Sequence, residues 1–230
     1  MTVWQSKARS RAVTMRAGEV LLNGDLRLPP APQGLVLFAH GSGSSRMSPR
    51  NRFVADVLVA AGIGTLLFDL LTRDEERIDL LTRELRFDIP LLTARLAGGA
   101  AWVLGEESLR DLPLGFFGAS TGAAAALAAS CECPEVVAVV SRGGRPDLAG
   151  PRLRDVTAAT LLIVGGEDSE VIRLNREALA QMRCQVRMEI VPGATHLFEE
   201  PGTLARAAGL AAAWFVQHFP ASHSMNRRSA

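Results

Sequence analysis

Leu114-Gly115-Phe116-Phe117 runs directly into Gly118-Ala119-Ser120-Thr121-Gly122, and the Ala-rich stretch Ala123–Ala129 follows at once. An apolar run, a G-x-S-x-G pentapeptide and then a helix-forming segment make the strand–turn–helix setting of a nucleophile elbow. Glycines on both sides let the backbone turn where a side chain would clash. The turn lifts the Ser120 hydroxyl clear of the sheet edge. The helix that begins at Thr121 aims its free N-terminal amides and the positive end of its dipole at the same place. The competing reading, a Gly-Ser-Thr turn without chemistry, leaves these flanks unexplained.

A serine is a weak nucleophile at neutral pH. It needs a base, and the base needs an acid to orient it. Where such an elbow crowns a sheet, the partners follow in the order Ser, Asp or Glu, His. This chain supplies that order. Leu161-Leu162-Ile163-Val164 reads as a buried strand and ends in Gly165-Gly166-Glu167-Asp168. Val186–Val191 reads as the next strand and runs into Pro192-Gly193-Ala194-Thr195-His196. Of four histidines, His40 precedes the elbow, while His218 and His223 lie in the last helix and the tail, so His196 is the candidate base. Asp168 is the first choice for the acid, because a short carboxylate at the turn suits the role, and Glu167 is the alternative one residue away.

Acyl transfer also needs donors for the developing oxyanion. One candidate is the backbone amide of Thr121, next to the nucleophile. The second is expected in His40-Gly41-Ser42-Gly43-Ser44-Ser45, the loop after Leu35–Ala39. Ser42 is the first choice there and Gly43 the second. His40 is read as a residue that holds this loop.

The rest of the chain reads as a doubly wound, mostly parallel sheet with helices on both faces. Short apolar runs without alternation, the mark of strands buried on both sides, recur at Leu35–Ala39, Ile63–Phe68, Leu114–Phe117, Val136–Val140, Leu161–Val164 and Val186–Val191. Helical patterns fall between them, near Asn51–Ala61, Asp88–Leu104, Thr121–Ser130, Val171–Met182 and Pro201–Phe219. Val13–Arg16 and Val20–Leu28 read as an antiparallel leader, with Asn23-Gly24 as a turn signal. One domain over 1–219 is expected, with a polar, disordered tail over 220–230. A net charge of +1 points to neither a nucleic acid nor a membrane surface, and the first residues lack the apolar core of a signal peptide. Three cysteines, odd in number and without metal-ligand spacing, read as reduced thiols in a cytoplasmic protein. Neither a metal nor another cofactor is expected. Oligomeric state is not legible.

Two features bear on substrate. Ser141–Ala159 is too short to hold a lid domain, which favours a small soluble substrate. The longer insertion, Leu70–Ile89, starts at a strand's carboxyl end and could wall one side of the site. Ligands of open α/β sheets bind outside those ends. Arg46, Arg50 and Arg52 follow the third strand there, and Arg142 and Arg145 follow the sixth. A guanidinium suits a carboxylate or phosphate. Arg142 is the first candidate for an anionic substrate, with Arg50 beside it. Internal pairing of Arg142 or Arg145 with Asp147 or Asp69 is the competing reading.

Phe38-Ala39-His40-Gly41-Ser42-Gly43, the elbow, Val164–Asp168 and Pro192–Phe198 together make the chain similar to α/β-hydrolases of the dienelactone hydrolase-like group, from Leu35 onward. Arg46–Asn51 and Val140–Asp147 resemble a subgroup sometimes fused to a phosphoribosyltransferase domain, and this sequence is expected to hold the hydrolase unit alone. The resemblance implies the α/β-hydrolase fold, a triad and hydrolase chemistry. Dienelactone hydrolase itself uses a cysteine nucleophile where this chain has Ser120, so the dienelactone substrate does not carry over. The expectation is a cofactor-independent serine hydrolase acting on an ester or similar acyl bond of a small substrate. An acyltransferase or perhydrolase on the same triad, or a ligand-binding module of the same fold, are the alternatives.

Overall fold

The computed structural model describes residues 8–219, so the tail expected over 220–230 lies outside the described residues. The sheet has eight strands: β1 (Arg9–Ala17), β2 (Val20–Leu28), β3 (Leu35–Ala39), β4 (Gly64–Phe68), β5 (Leu114–Ala119), β6 (Val136–Arg142), β7 (Ala159–Gly165) and β8 (Val186–Val191). Their spatial order is β1-β2-β4-β3-β5-β6-β7-β8. β1 and β2 pair antiparallel, and β2 joins β4 antiparallel. Every pair from β4 through β8 is parallel. Among the described residues the α-helices are α1 (Pro49–Ala60), α2 (Arg73–Thr82), α3 (Ile89–Gly105), α4 (Thr121–Ser130), α5 (Ser169–Leu179) and α6 (Thr203–His218).

Strand pleating divides the core in two. Leu35, Leu37 and Ala39 of β3 face a cluster with Leu96, Ala100 and Val103 of α3 and the alanines of α4. Val36 and Phe38 face the opposite cluster, with Val54 and Leu58 of α1 and Ala208, Ala211 and Phe215 of α6. Both faces of the central strands are therefore covered, which is why they read as continuous apolar runs. All ten residues of α4 are buried. Its alanines keep the helix thin enough to lie close over the strands that flank the elbow.

The antiparallel leader forms, but its turn lies elsewhere than expected. β1 and β2 connect through Gly18-Glu19, with Gly18 at φ +64°. Asn23 and Gly24 sit inside β2, opposite Thr14 and Val13. Gly24 is there because of space: a Cβ would come within 2.9 Å of Met15 and 3.1 Å of the Phe68 Cβ. The stretch after β6 holds a kinked pair of 3₁₀ turns, Pro146–Arg154, and no inserted lid domain. The Leu70–Ile89 insertion folds as α2 and a 3₁₀ turn, Leu85–Phe87. Among the described residues, no helix is long and apolar enough to cross a membrane.

Candidate active site

Ser120 stands between β5 and α4 with φ +52° and ψ −122°, outside the regions an L-residue favours. The surroundings hold it there. Its amide donates to the Arg142 carbonyl at 3.3 Å, and its carbonyl accepts from the amides of Ala123 and Arg145, each at 3.1 Å. Both motif glycines are dictated by close approach. A Cβ on Gly118 would lie 2.4 Å from the Ala123 Cα, and one on Gly122 would lie 2.2 Å from the Ala39 carbonyl oxygen.

The loops after β7 and β8 bring the acid to the base. His196 Nδ1 lies 2.7 Å from Asp168 Oδ2. The two loops are joined by Gly166 N to Val191 O, 2.8 Å, and Glu167 N to Ala194 O, 3.0 Å. Gly165 permits this, since a Cβ there would meet the Ala194 carbonyl at 2.4 Å. Glu200 fixes the His196 loop by accepting from the Thr195 hydroxyl at 2.6 Å and amide at 3.0 Å, bonds that hold its carboxyl below the usual range. Glu167 is exposed and takes no part in the His196 pairing.

Ser120 and His196 line one open cleft of about 630 Å³ together with Gly41, Ser42, Arg50, Asn51 and Arg142. A Cβ on Gly41 would touch the Ser120 Cβ at 3.1 Å, so the loop after β3 passes directly beside the nucleophile. Among the described residues, the amides of Ser42 and Gly43 have no hydrogen-bond partner. Ser42 lines the Ser120 cleft and Gly43 does not. Thr121 is the first residue of α4, where amides lack an intrahelical acceptor. His40 is a buried loop holder. Its Nε2 accepts from the Leu70 amide at 3.1 Å, and its Nδ1 lies 3.1 Å from the Gly41 carbonyl. Burial pushes its pKa below the ordinary 6.5.

The arginines separate. Arg145 is paired with Asp147 through two bonds, of 2.9 and 2.7 Å. Arg46 pairs with Asp69 and Arg52 with Asp25. Arg50 reaches Glu199 at 3.0 Å in a solvated pair. Arg142 is 7% exposed and has no carboxylate partner among the described residues, and its Nε and Nη1 are buried without any hydrogen bond. Its guanidinium lies 6.0 Å from the ring centre of Phe117 and 5.9 Å from that of Phe198. Burial, reinforced by the charge of Arg50, pushes its pKa down to about 10.

A search of protein-family models gives no match. Two curated Mycobacterium tuberculosis proteins, each described as a putative phosphoribosyl transferase, are 54% identical over 211 residues, which is 91% of this chain and 47% of theirs. The chain thus spans about half the length of the curated relatives it matches. A solved dienelactone hydrolase from Anabaena variabilis ATCC 29413 is 55% identical, covers 94% of this chain and 100% of its own, and superposes with a TM-score of 0.92. The chain belongs to the dienelactone hydrolase-like family of α/β-hydrolases. Est1E from Butyrivibrio proteoclasticus, at 13% identity and a TM-score of 0.75 over 90% of this chain and 98% of its own, shares the fold.

This dienelactone hydrolase-like chain also carries contacts that the sequence reading missed. Asp79 is the one buried residue of α2. It accepts from the Arg86 amide at 2.9 Å and Nε at 2.6 Å, tying α2 to the 3₁₀ turn. Arg86 then lies over Gly43, with Nη1 3.1 Å from where a Cβ would be. The α2 segment therefore rests on the loop beside the nucleophile. Asn51 is 2% exposed, and its Oδ1 is unpartnered in the Ser120 cleft. An i,i+7 Asp–Arg spacing that straddles a helix end gives no periodic signal, and nothing marked Asn51 apart from its neighbours.

Proposed function

We propose that the chain is a cofactor-independent serine hydrolase that cleaves esters, or similar acyl bonds, of small substrates carrying a negative charge. The observation that carries this reading is the 2.7 Å His196–Asp168 contact opening onto the same cleft as a strained, elbow-borne Ser120. His196 Nε2 takes the Ser120 proton as Oγ attacks the carbonyl carbon. Asp168 accepts from Nδ1–H, fixing the tautomer and stabilising the imidazolium. The Ser42 and Thr121 amides receive the oxyanion. Expulsion of the alcohol leaves an acyl-enzyme, which water resolves through the same base. The cleft is open, which favours water over a sequestered acceptor as the resolving nucleophile.

Arg142 supplies the anion preference. A buried guanidinium without a partner is costly in an apolar setting, and a substrate oxyanion would satisfy it. The three cysteines are free thiols, which suits a cytoplasmic protein. The test is turnover of 4-nitrophenyl esters by wild type and Ser120→Ala. The variant should fold normally and lose on the order of 10⁴-fold or more in kcat. Near-normal turnover by that variant would overturn the proposal.

A further inference from the structure

Asn51 is 2% exposed, lines the Ser120 cleft, and leaves its side-chain amide unused. Its backbone amide donates to the Ser48 hydroxyl at 3.3 Å, which caps the start of α1. Its side chain makes no hydrogen bond among the described residues, and Oδ1 is buried. Helix capping does not account for it. A residue three places after an N-cap can return a bond to the cap's own amide, but the Ser48 amide already donates to the Ser45 carbonyl at 3.0 Å. Ion pairing does not account for it either, since its neighbours Arg50 and Arg52 pair with Glu199 and Asp25. Asn175 shows what a structural asparagine does in this fold. It is also buried, and its Nδ2 donates to the Gly144 and Val171 carbonyls at 3.0 and 2.8 Å. A buried amide without a partner costs free energy, so the Asn51 side chain calls for one.

The rest of the lining says what that partner is. Ser42, Ser44 and Ser48 line the same cleft, and among the described residues Ala119 and Leu197 are its apolar side chains. Arg50 and Arg142 make it positive, which disfavours an ammonium donor. The two ends of a side-chain amide have the same shape. A hydroxyl meets either one, donating to the oxygen or accepting from the nitrogen, whereas a carbonyl meets the nitrogen alone. We infer that Asn51 is a specificity-determining residue that binds a neutral hydroxyl of the substrate, so that the ester cleaved is one of a small hydroxylated molecule. Asn51 and Ser120 share one cleft of about 630 Å³, which sets that hydroxyl a few bonds from the scissile carbonyl. The hydroxyl belongs to the acyl group or to the leaving alcohol, and the contact with Asn51 is the same in both. This assignment rests on the serine-hydrolase reading and adds a second recognised group to it.

The test uses the intact chain and two pairs of esters, with rates corrected for alkaline hydrolysis. 4-Nitrophenyl 3-hydroxybutyrate against 4-nitrophenyl butyrate puts the hydroxyl in the acyl group. 2-Hydroxyethyl butyrate against ethyl butyrate puts it in the alcohol. Wild type should prefer the hydroxylated ester of at least one pair by about tenfold in kcat/KM. The pair that responds tells which side carries the hydroxyl. Asn51→Leu keeps the shape of the side chain without its hydrogen-bonding atoms, and should abolish that preference. Its Tm should equal or exceed that of wild type, because an unpartnered amide gives way to an apolar group of the same shape. Asn51→Ala, which cannot clash, should lose the same preference. No preference in wild type, or a preference that survives both substitutions, overturns the assignment. A Tm several degrees below wild type in Asn51→Leu, with equal losses on all four esters, makes Asn51 a structural residue and overturns it too. If wild type cleaves none of the four, or Ser120→Ala cleaves them equally well, the serine-hydrolase reading has failed and takes the assignment with it. Where turnover depends on Ser120, a negative result falls on Asn51 alone.

Discussion

Replacing Arg142 by methionine should make the protein more stable and less active at once. The guanidinium is 7% exposed, lacks a partner on two nitrogens among the described residues, and has its pKa pushed down from the ordinary arginine range to about 10. That difference corresponds to about 3 kcal/mol of unfavourable charge burial. The folded-state pKa lies below the unfolded one, so the penalty is full below about pH 10 and shrinks only as pH rises beyond it. At pH 7.5 it acts in full. Contacts with the Phe117 and Phe198 rings offset about 1–2 kcal/mol of it. Methionine keeps the length and sets a thioether against the same rings. The net gain should be about 1–2 kcal/mol, or about 3–6 °C in Tm for a chain of this size. Thermal unfolding followed by circular dichroism, in chloride buffer without multivalent anions, measures it. Added sulfate should raise the wild-type Tm more than that of the variant, by filling the site. A variant that melts several degrees below wild type would show that Arg142 is a structural arginine, and the anion argument would fall.

Asp168→Asn should cost roughly 10⁴-fold in kcat by misplacing the imidazole tautomer, whereas Glu167→Gln should cost little, and steady-state kinetics on one ester compares them. Gly122→Ala should lose activity and soluble yield, because its Cβ would stand 2.2 Å from the Ala39 carbonyl oxygen, and only movement of the elbow or of β3 can relieve that. His40 must be neutral to accept from the Leu70 amide. Its pKa is lower folded than unfolded, so its share of stability is full above pH 6.5 and declines as pH falls toward the folded value. Urea unfolding between pH 5 and 7 should show that slope in wild type and a weaker one in His40→Asn.

The parallel strands were legible because burial on both faces leaves no polar positions to blur them, as in Val36 and Phe38 facing one cluster and Leu35 and Leu37 the other. The elbow was legible because its glycines answer to a local requirement. Asn23-Gly24 misled because a turn dipeptide and a mid-strand glycine look alike until the neighbouring Met15 and Phe68 are in place. Sequence could shortlist the loop arginines but could not divide them. Arg145 has its partner two residues away, while Arg46 finds Asp69 after the neighbouring strand, and only the packed structure leaves Arg142 without one among the described residues. Leu70–Ile89 could be read as a wall of the site, but its residues line the neighbouring cavity and none lines the Ser120 cleft, and the Asp79–Arg86 pair that seats it on Gly43 depends on where a helix stops.

The central claim is that Ser120 becomes covalently acylated with His196 as its base. Mass spectrometry of the intact protein, after reaction with a fluorophosphonate and peptide mapping, tests it most directly. One adduct on Ser120 is predicted in wild type. Labelling should be slowed by orders of magnitude in His196→Ala and absent in Ser120→Ala. An adduct on another residue, or full esterase turnover with Ser120 unmodified, would contradict the account.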